Sequence, residues 1–143
     1  MESLNDTRWI QRYDSYHKAC ARVLSITQSG HTPDSLSELE QEGLVQRFEY
    51  TFELAWKVLQ DLLIARGYEF VKGPNGTLAQ AFSDGLITNH DGWWHMAKAR
   101  TITSHTYNEG TASEIVKKIF NDYAPLLMQL DETLGEIAEQ ENV

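Results

Sequence analysis

Arg100, His105 and Tyr107 fall at an R-x4-H-x-Y spacing within "ARTITSHTY", Ala99 to Tyr107. These side-chain types suit cleavage of a phosphodiester without a metal. A 2'-hydroxyl attacks the adjacent phosphate, a histidine with a pKa of about 6.5 moves the proton, and an arginine fork holds the charge that builds on the phosphate oxygens. One histidine does not easily serve as base and acid in a single step; two copies facing each other across a two-fold axis supply both. Lys98 and Ser104 lie beside the pair and are expected to contact the substrate.

Spacing alone carries little weight. With six arginines and five histidines in the chain, some Arg-x4-His pair arises by chance roughly one time in five. Arg12 and His17 in "RYDSYH" are such a pair. Requiring a tyrosine two positions past the histidine lowers the chance to about one in a hundred, and the pair on the first helix fails it, with Ala19 at that position. Context also separates the two. No acid stands between Gly92 and Asn108, a window that holds His95, Lys98, Arg100 and His105 in a chain of formal net charge -9, so the local potential is positive and attracts phosphate. The rival reading gives Arg100 a salt bridge with one of the 21 acids and makes His105 a cation at a helix end, opposed to the helix dipole.

The overall acidity, with a pI of about 4.9, argues against a general nucleic-acid footprint and leaves only a local patch. Cys20 is the single cysteine, which excludes an intrachain disulfide and a thiolate zinc cluster. His90, Asp91 and His95 are poor metal ligands, because a five-residue separation places two helical side chains about 140 degrees apart. No metal or other cofactor is expected. "KGPNGT" has glycines near a helix start but lacks the P-loop spacing and reads as a plain turn. Trp56, Trp93 and Trp94 could stack on bases, yet large aromatics at helical spacing are more often core or interface. The amino terminus has no apolar leader and no run is long enough to span a bilayer, which points to a protein of the cytoplasm with no membrane association.

The elements that must position these groups are helical. Leu44, Phe48, Phe52, Ala55, Leu59 and Leu62 recur at steps of three and four, with Glu53 placed to pair with Lys57 and Gly67 as the stop. Trp9, Tyr13, Tyr16, Cys20, Val23 and Leu24 form a second stripe on a helix from about Asp6 to Gln28. Capping boxes at Ser35 with Glu38, Thr77 with Gln80 and Thr111 with Glu114, and a cap at Asp91, would start the others. Thr101 to Ser104 are weak helix formers, so the fourth helix should loosen or end near His105. On a regular helix Trp93, Arg100 and Tyr107 share a stripe with His105 round the side, so the pair converges by unwinding or across a symmetric dimer. The last helix should run from about Ala112 to Ala138 with a kink at Pro125, and "EQENV" should be disordered. The sum is one all-α domain over residues 1–143, an up-and-down antiparallel bundle of four long helices and one short one. Glu49 and Glu53 lie on its aromatic-rich helix, either to orient the motif groups or as ordinary surface charge.

"RTITSHTY" resembles the R-x4-H-x-Y motif of HEPN proteins, and "RFEYTFELAWKVLQDLL", "AFSDGLI" and "YAPLL" resemble the branch named nucleotidyltransferase substrate-binding proteins. The likeness spans roughly Arg8 to Leu130. It implies a helical bundle that forms a homodimer and pairs with a small nucleotidyltransferase encoded beside it. It further implies one of two functions. In the first the chain is the ribonuclease toxin of a toxin-antitoxin pair, cutting RNA with Arg100 and His105, and the partner neutralises it by binding or by adenylylation of Tyr107. In the second it is a non-catalytic subunit that holds a substrate for its partner.

Overall fold

The structure is a computed structural model that describes the backbone of residues 4–69, 71–105 and 108–141 and the side chains of 7–69, 71–103, 108 and 110–141. Six α-helices carry it: α1 Leu4–Thr27, α2 Glu38–Ala65, α3 Gly73–Ser83, α4 His90–His105, α5 Glu109–Lys118 and α6 Ala124–Glu141. A short 3-10 turn, Pro33–Ser35, precedes α2, and a π turn, Ile119–Tyr123, joins α5 to α6. No strand occurs among the described residues. With α5 and α6 taken as one interrupted rod, this is the expected all-α arrangement of four long helices and a short one.

The apolar stripes do the packing. All six residues of the α2 stripe are buried, as are Trp9, Tyr16, Cys20 and Val23 of α1, with Tyr13 and Leu24 half-buried beside them. The side-chain ties show antiparallel neighbours. Arg12 reaches Asp61 while Arg47 reaches Arg22, which sets α2 against α1 in reverse. Trp9 donates to Glu141 and Gln28 approaches Met128, which does the same for α6. Phe48 stacks on Tyr123 at 5.3 Å and Phe52 packs on Trp93 at 6.4 Å, bringing the last rod and α4 onto α2.

Helix ends were the least accurate part of the sequence reading. Ser35 closes the 3-10 turn back onto Thr32 after Pro33, so the box that starts α2 is Ser37 with Glu40 rather than Ser35 with Glu38. Thr77 opens nothing: α3 begins at Gly73, whose φ of 62° only glycine adopts freely, and Pro74 supplies a preset first turn. "KGPNG" is therefore helix start, not plain turn. Asn89, not Asp91, caps α4 by accepting from the Gly92 N-H at 2.9 Å, and Asn108 caps α5 through the Thr111 N-H, which makes Thr111 an interior residue. Gly67 does stop α2, at φ 106°, with the Gly67 and Tyr68 N-H groups donating to Ile64 and Leu63.

The irregularity at Pro125 takes the form of the π turn just before it. The Ala124 N-H reaches back to the Ile119 carbonyl, and Pro125 follows with no N-H to give. At the carboxyl end α6 continues to Glu141, three residues into the stretch expected to be disordered, because Glu141 accepts from the Trp9 indole at 3.0 Å. No helix among the described residues is long and apolar enough to cross a membrane.

Candidate functional site

The rotation of α4 sets the site. Trp93, Met96, Ala99 and Thr103 are buried at helical spacing, so the opposite side of α4 carries Trp94, Lys98, Thr101 and Ile102 outward. Trp93 is 1% exposed and its neighbour Trp94 is 39% exposed, so only the first is the core aromatic the periodicity called for. Arg100 sits at the boundary between the two faces.

That boundary borders a cleft of about 730 Å³ between α2, α3 and α4, lined by Glu53, Asn75, Trp94, Lys98, Arg100 and Thr101 among others. Lys98 lies with its Nζ 3.8 Å from the Trp94 ring centroid, a cation held on an aromatic face. Pro74 and Asn75 bring the first turn of α3, which holds no acid, to the opposite wall, adding the positive end of a helix dipole. Among the described residues Glu53 is the one acid lining the cleft.

Glu53 meets Arg100. Its Oε2 is 3.5 Å from the Arg100 Nε, and its Oε1 is 3.8 Å from the Lys57 Nζ. The Arg100 contact is longer than a charge-assisted hydrogen bond, and the buried Nε has no hydrogen-bond partner among the described residues. Both side chains are about a third exposed. So the rival reading of Arg100 is realised in part: it has an acid neighbour, but one that holds it loosely at the edge of open space. Of the two acids singled out on α2, Glu53 is the one placed beside a motif residue.

His105 is the last residue of α4. The backbone stays helical through Thr101 to Ser104, with Thr101 and Thr103 hydroxyls donating to the Ala97 and Arg100 carbonyls. Of the two outcomes expected there, loosening or an end near His105, α4 shows the second. It stays regular up to His105, its last residue, and along that regular helix positions 100 and 105 are about 140 degrees apart. The side chains of Ser104 and His105, and the whole of Tyr107, lie outside the described residues.

Elsewhere, His95 donates from Nδ1 to the Asp91 carbonyl at 2.7 Å, and His90 packs on Phe82. No group of three or more metal-capable side chains occurs among the described residues. The cleft aromatic Trp94 and the α3 start were the parts sequence reasoning undervalued. The four-residue step from Trp94 to Lys98 was the available signal for the first.

Residues 11–136 match the family described as nucleotidyltransferase substrate binding protein like. The crystal structure of ttk003001694 from Thermus thermophilus is similar, with a TM-score of 0.71 and 32% identity over 85% of this chain and 97% of that one. No curated protein matches. With nearly the whole bundle inside the matched range, the chain belongs to the nucleotidyltransferase substrate-binding-like family.

Proposed function

We propose that this protein is a metal-independent ribonuclease of the HEPN type, the toxin of a pair whose antitoxin is a small nucleotidyltransferase. The observation that carries the reading is the cleft, where Arg100, Lys98 and the start of α3 concentrate positive charge beside an exposed tryptophan in an acidic protein. A base stacks on Trp94, Lys98 takes a flanking phosphate with Ser104 beside it, and the Arg100 fork takes the scissile phosphate from its loose contact with Glu53. His105 accepts the proton of the attacking 2'-hydroxyl. The bond from that oxygen to phosphorus forms, the bond to the leaving 5'-oxygen breaks, and the leaving oxygen takes a proton, giving a cyclic phosphate and a 5'-hydroxyl.

The helical backbone up to His105 favours the symmetric form of this site over the unwound one. In a homodimer the Arg100 of one copy works with the His105 of the other, and the two histidines share the base and acid roles. Tyr107 is the candidate switch: its oxygen attacks the α-phosphate of ATP on the partner enzyme, pyrophosphate leaves, and the added phosphate charge competes with substrate for Arg100.

The test is cleavage of single-stranded RNA by the purified chain in chelator, with end-group analysis. Cyclic phosphate ends and a loss of about 10²- to 10⁴-fold on His105→Ala are expected. Undiminished cleavage by that variant sinks the assignment. The family description favours a second reading, a subunit that presents a nucleotide to its partner through the same cleft; it predicts nucleotide binding without cleavage.

A further inference from the structure

The longest acid-free stretch of the sequence is not the one around Arg100. It runs from Ser15 to Pro33, 19 residues that include Lys18, Arg22 and two histidines. On α1 this stretch faces α2 across a groove of about 310 Å³ lined by Arg22, Gly43, Gln46, Arg47, Tyr50 and Thr51 among others.

Three features give the groove a chemistry. Arg47 donates from Nη1 to the Arg22 carbonyl at 3.0 Å, which draws its guanidinium to the turn of α1 that carries the other arginine. Among the described residues neither arginine is in an ion pair and no acid lines the groove. Two cations that line one groove without a counter-ion make it attractive to an anion. Gly43 leaves open space where a side chain would stand. Tyr50, 61% exposed, gives the groove an accessible aromatic face.

The groove and the Arg100 cleft are neighbours across α2. Thr51 lines the first while Phe52 and Glu53 line the second, so the two lie on opposite flanks of the same turn of α2. They are separated by one helix width, about 10–12 Å. Cations with an interleaved exposed aromatic occur on both flanks, the pattern that tracks a single-stranded nucleic acid rather than an acidic peptide.

We infer that the Arg22 and Arg47 groove is a second subsite for the RNA strand, with one phosphate bridging the two guanidinium groups and a base stacked on Tyr50. The inference rests on RNA being the substrate of the Arg100 cleft. It adds a contact remote from the reacting atoms, so Arg22, Arg47 and Tyr50 are binding residues and not catalytic ones.

The test is fluorescence anisotropy with a labelled 2'-O-methyl oligouridylate long enough to cross both flanks of α2. That probe cannot undergo 2'-hydroxyl attack, so binding is read apart from cleavage. Affinity is measured against salt for the full chain and its variants. The double variant Arg22→Gln with Arg47→Gln removes the one bridged phosphate and should lower the slope of log K against log salt by about 0.7, with Arg22→Gln alone giving part of that fall. Tyr50→Ala should weaken binding roughly 5- to 150-fold. Arg22→Gln and Tyr50→Ala alter surface groups outside the core, so either decides the matter if the Arg47 variant fails to fold. Unchanged slope and affinity in both overturn the subsite and leave the ribonuclease reading standing. The expected slopes with no Arg100-dependent cleavage of ordinary RNA uphold the subsite and overturn the ribonuclease. No binding by the parent chain overturns both.

Discussion

The molecule contains two Arg-x4-His pairs, and the fold uses them in opposite ways. On α1, Arg12 donates from Nε to Asp61 of α2 at 3.0 Å and His17 donates from Nδ1 to Asp131 of α6 at 2.9 Å. Each member of that pair is tied to a different helix, and the Asp61 side chain it neutralises is only 7% exposed. On α4, Arg100 has one loose ion-pair neighbour among the described residues and borders a cleft. The same spacing thus serves as a brace in one place and as a cation at the edge of open space in the other. What separates them is where the acids sit, which spacing along one helix does not reveal.

The contrast breaks if the wrong pair proves catalytic. Arg100→Ala should lower RNA cleavage by about 10²- to 10³-fold, while Arg12→Ala and His17→Ala, assayed at a temperature where they remain folded, should stay near the parent rate. Equal losses from both pairs in initial-rate assays would erase the distinction.

Stability should show the mirror image. Arg12→Ala strands a buried carboxylate and should cost about 1–3 kcal/mol in urea denaturation. Arg100→Ala removes a contact whose partners are each a third exposed, and it should cost less than about 1 kcal/mol. A larger loss for Arg100→Ala would mean that its contact with Glu53 braces the fold.

A third effect, read against pH, comes from the interior of the braced region. Burial, with Asp131 nearby, pushes the Tyr13 hydroxyl from 10.0 up to about 12 and the Cys20 thiol from 9.0 up to about 12. Burial also raises Tyr16, whose hydroxyl donates to the Leu127 carbonyl at 2.6 Å. These groups ionise in the unfolded chain first, so the unfolded state binds fewer protons and stability falls as pH rises from about 9 towards 12. Below pH 9 they should contribute no slope. Urea midpoints measured across that range check the sign, and a Cys20→Ala variant should flatten part of the decline.

Much of this architecture could be read before any coordinates. The stripes of α1 and α2 were legible because every third or fourth residue is large and apolar, and a helix that long has one way to bury them. Helix starts were not, because Ser or Thr three residues before Glu or Gln recurs in any polar stretch. Which one caps is settled by Pro33, Pro74 and the amides of Asn89 and Asn108. Arg100 was legible from its motif and the acid-free window. Its partner was legible only as one of two glutamates. The role of Trp94 depends on the α3 start arriving opposite it, a tertiary event. The groove between α1 and α2 joins residues 25 apart on two helices, which no spacing along one helix reveals.

The π turn between α5 and α6 fixes the phase of everything after it. A π turn holds one residue more than an α turn, so it offsets the faces of the two halves by about 100 degrees. α5 packs against α2, while α6 runs along α1 with Leu127, Leu130 and Leu134 buried. Deleting any one residue from Ile119 to Tyr123 would restore an even spiral and swing those leucines off α1. A one-residue gap there is therefore a more severe lesion than most substitutions in the core, and length at this point is as strictly specified as composition.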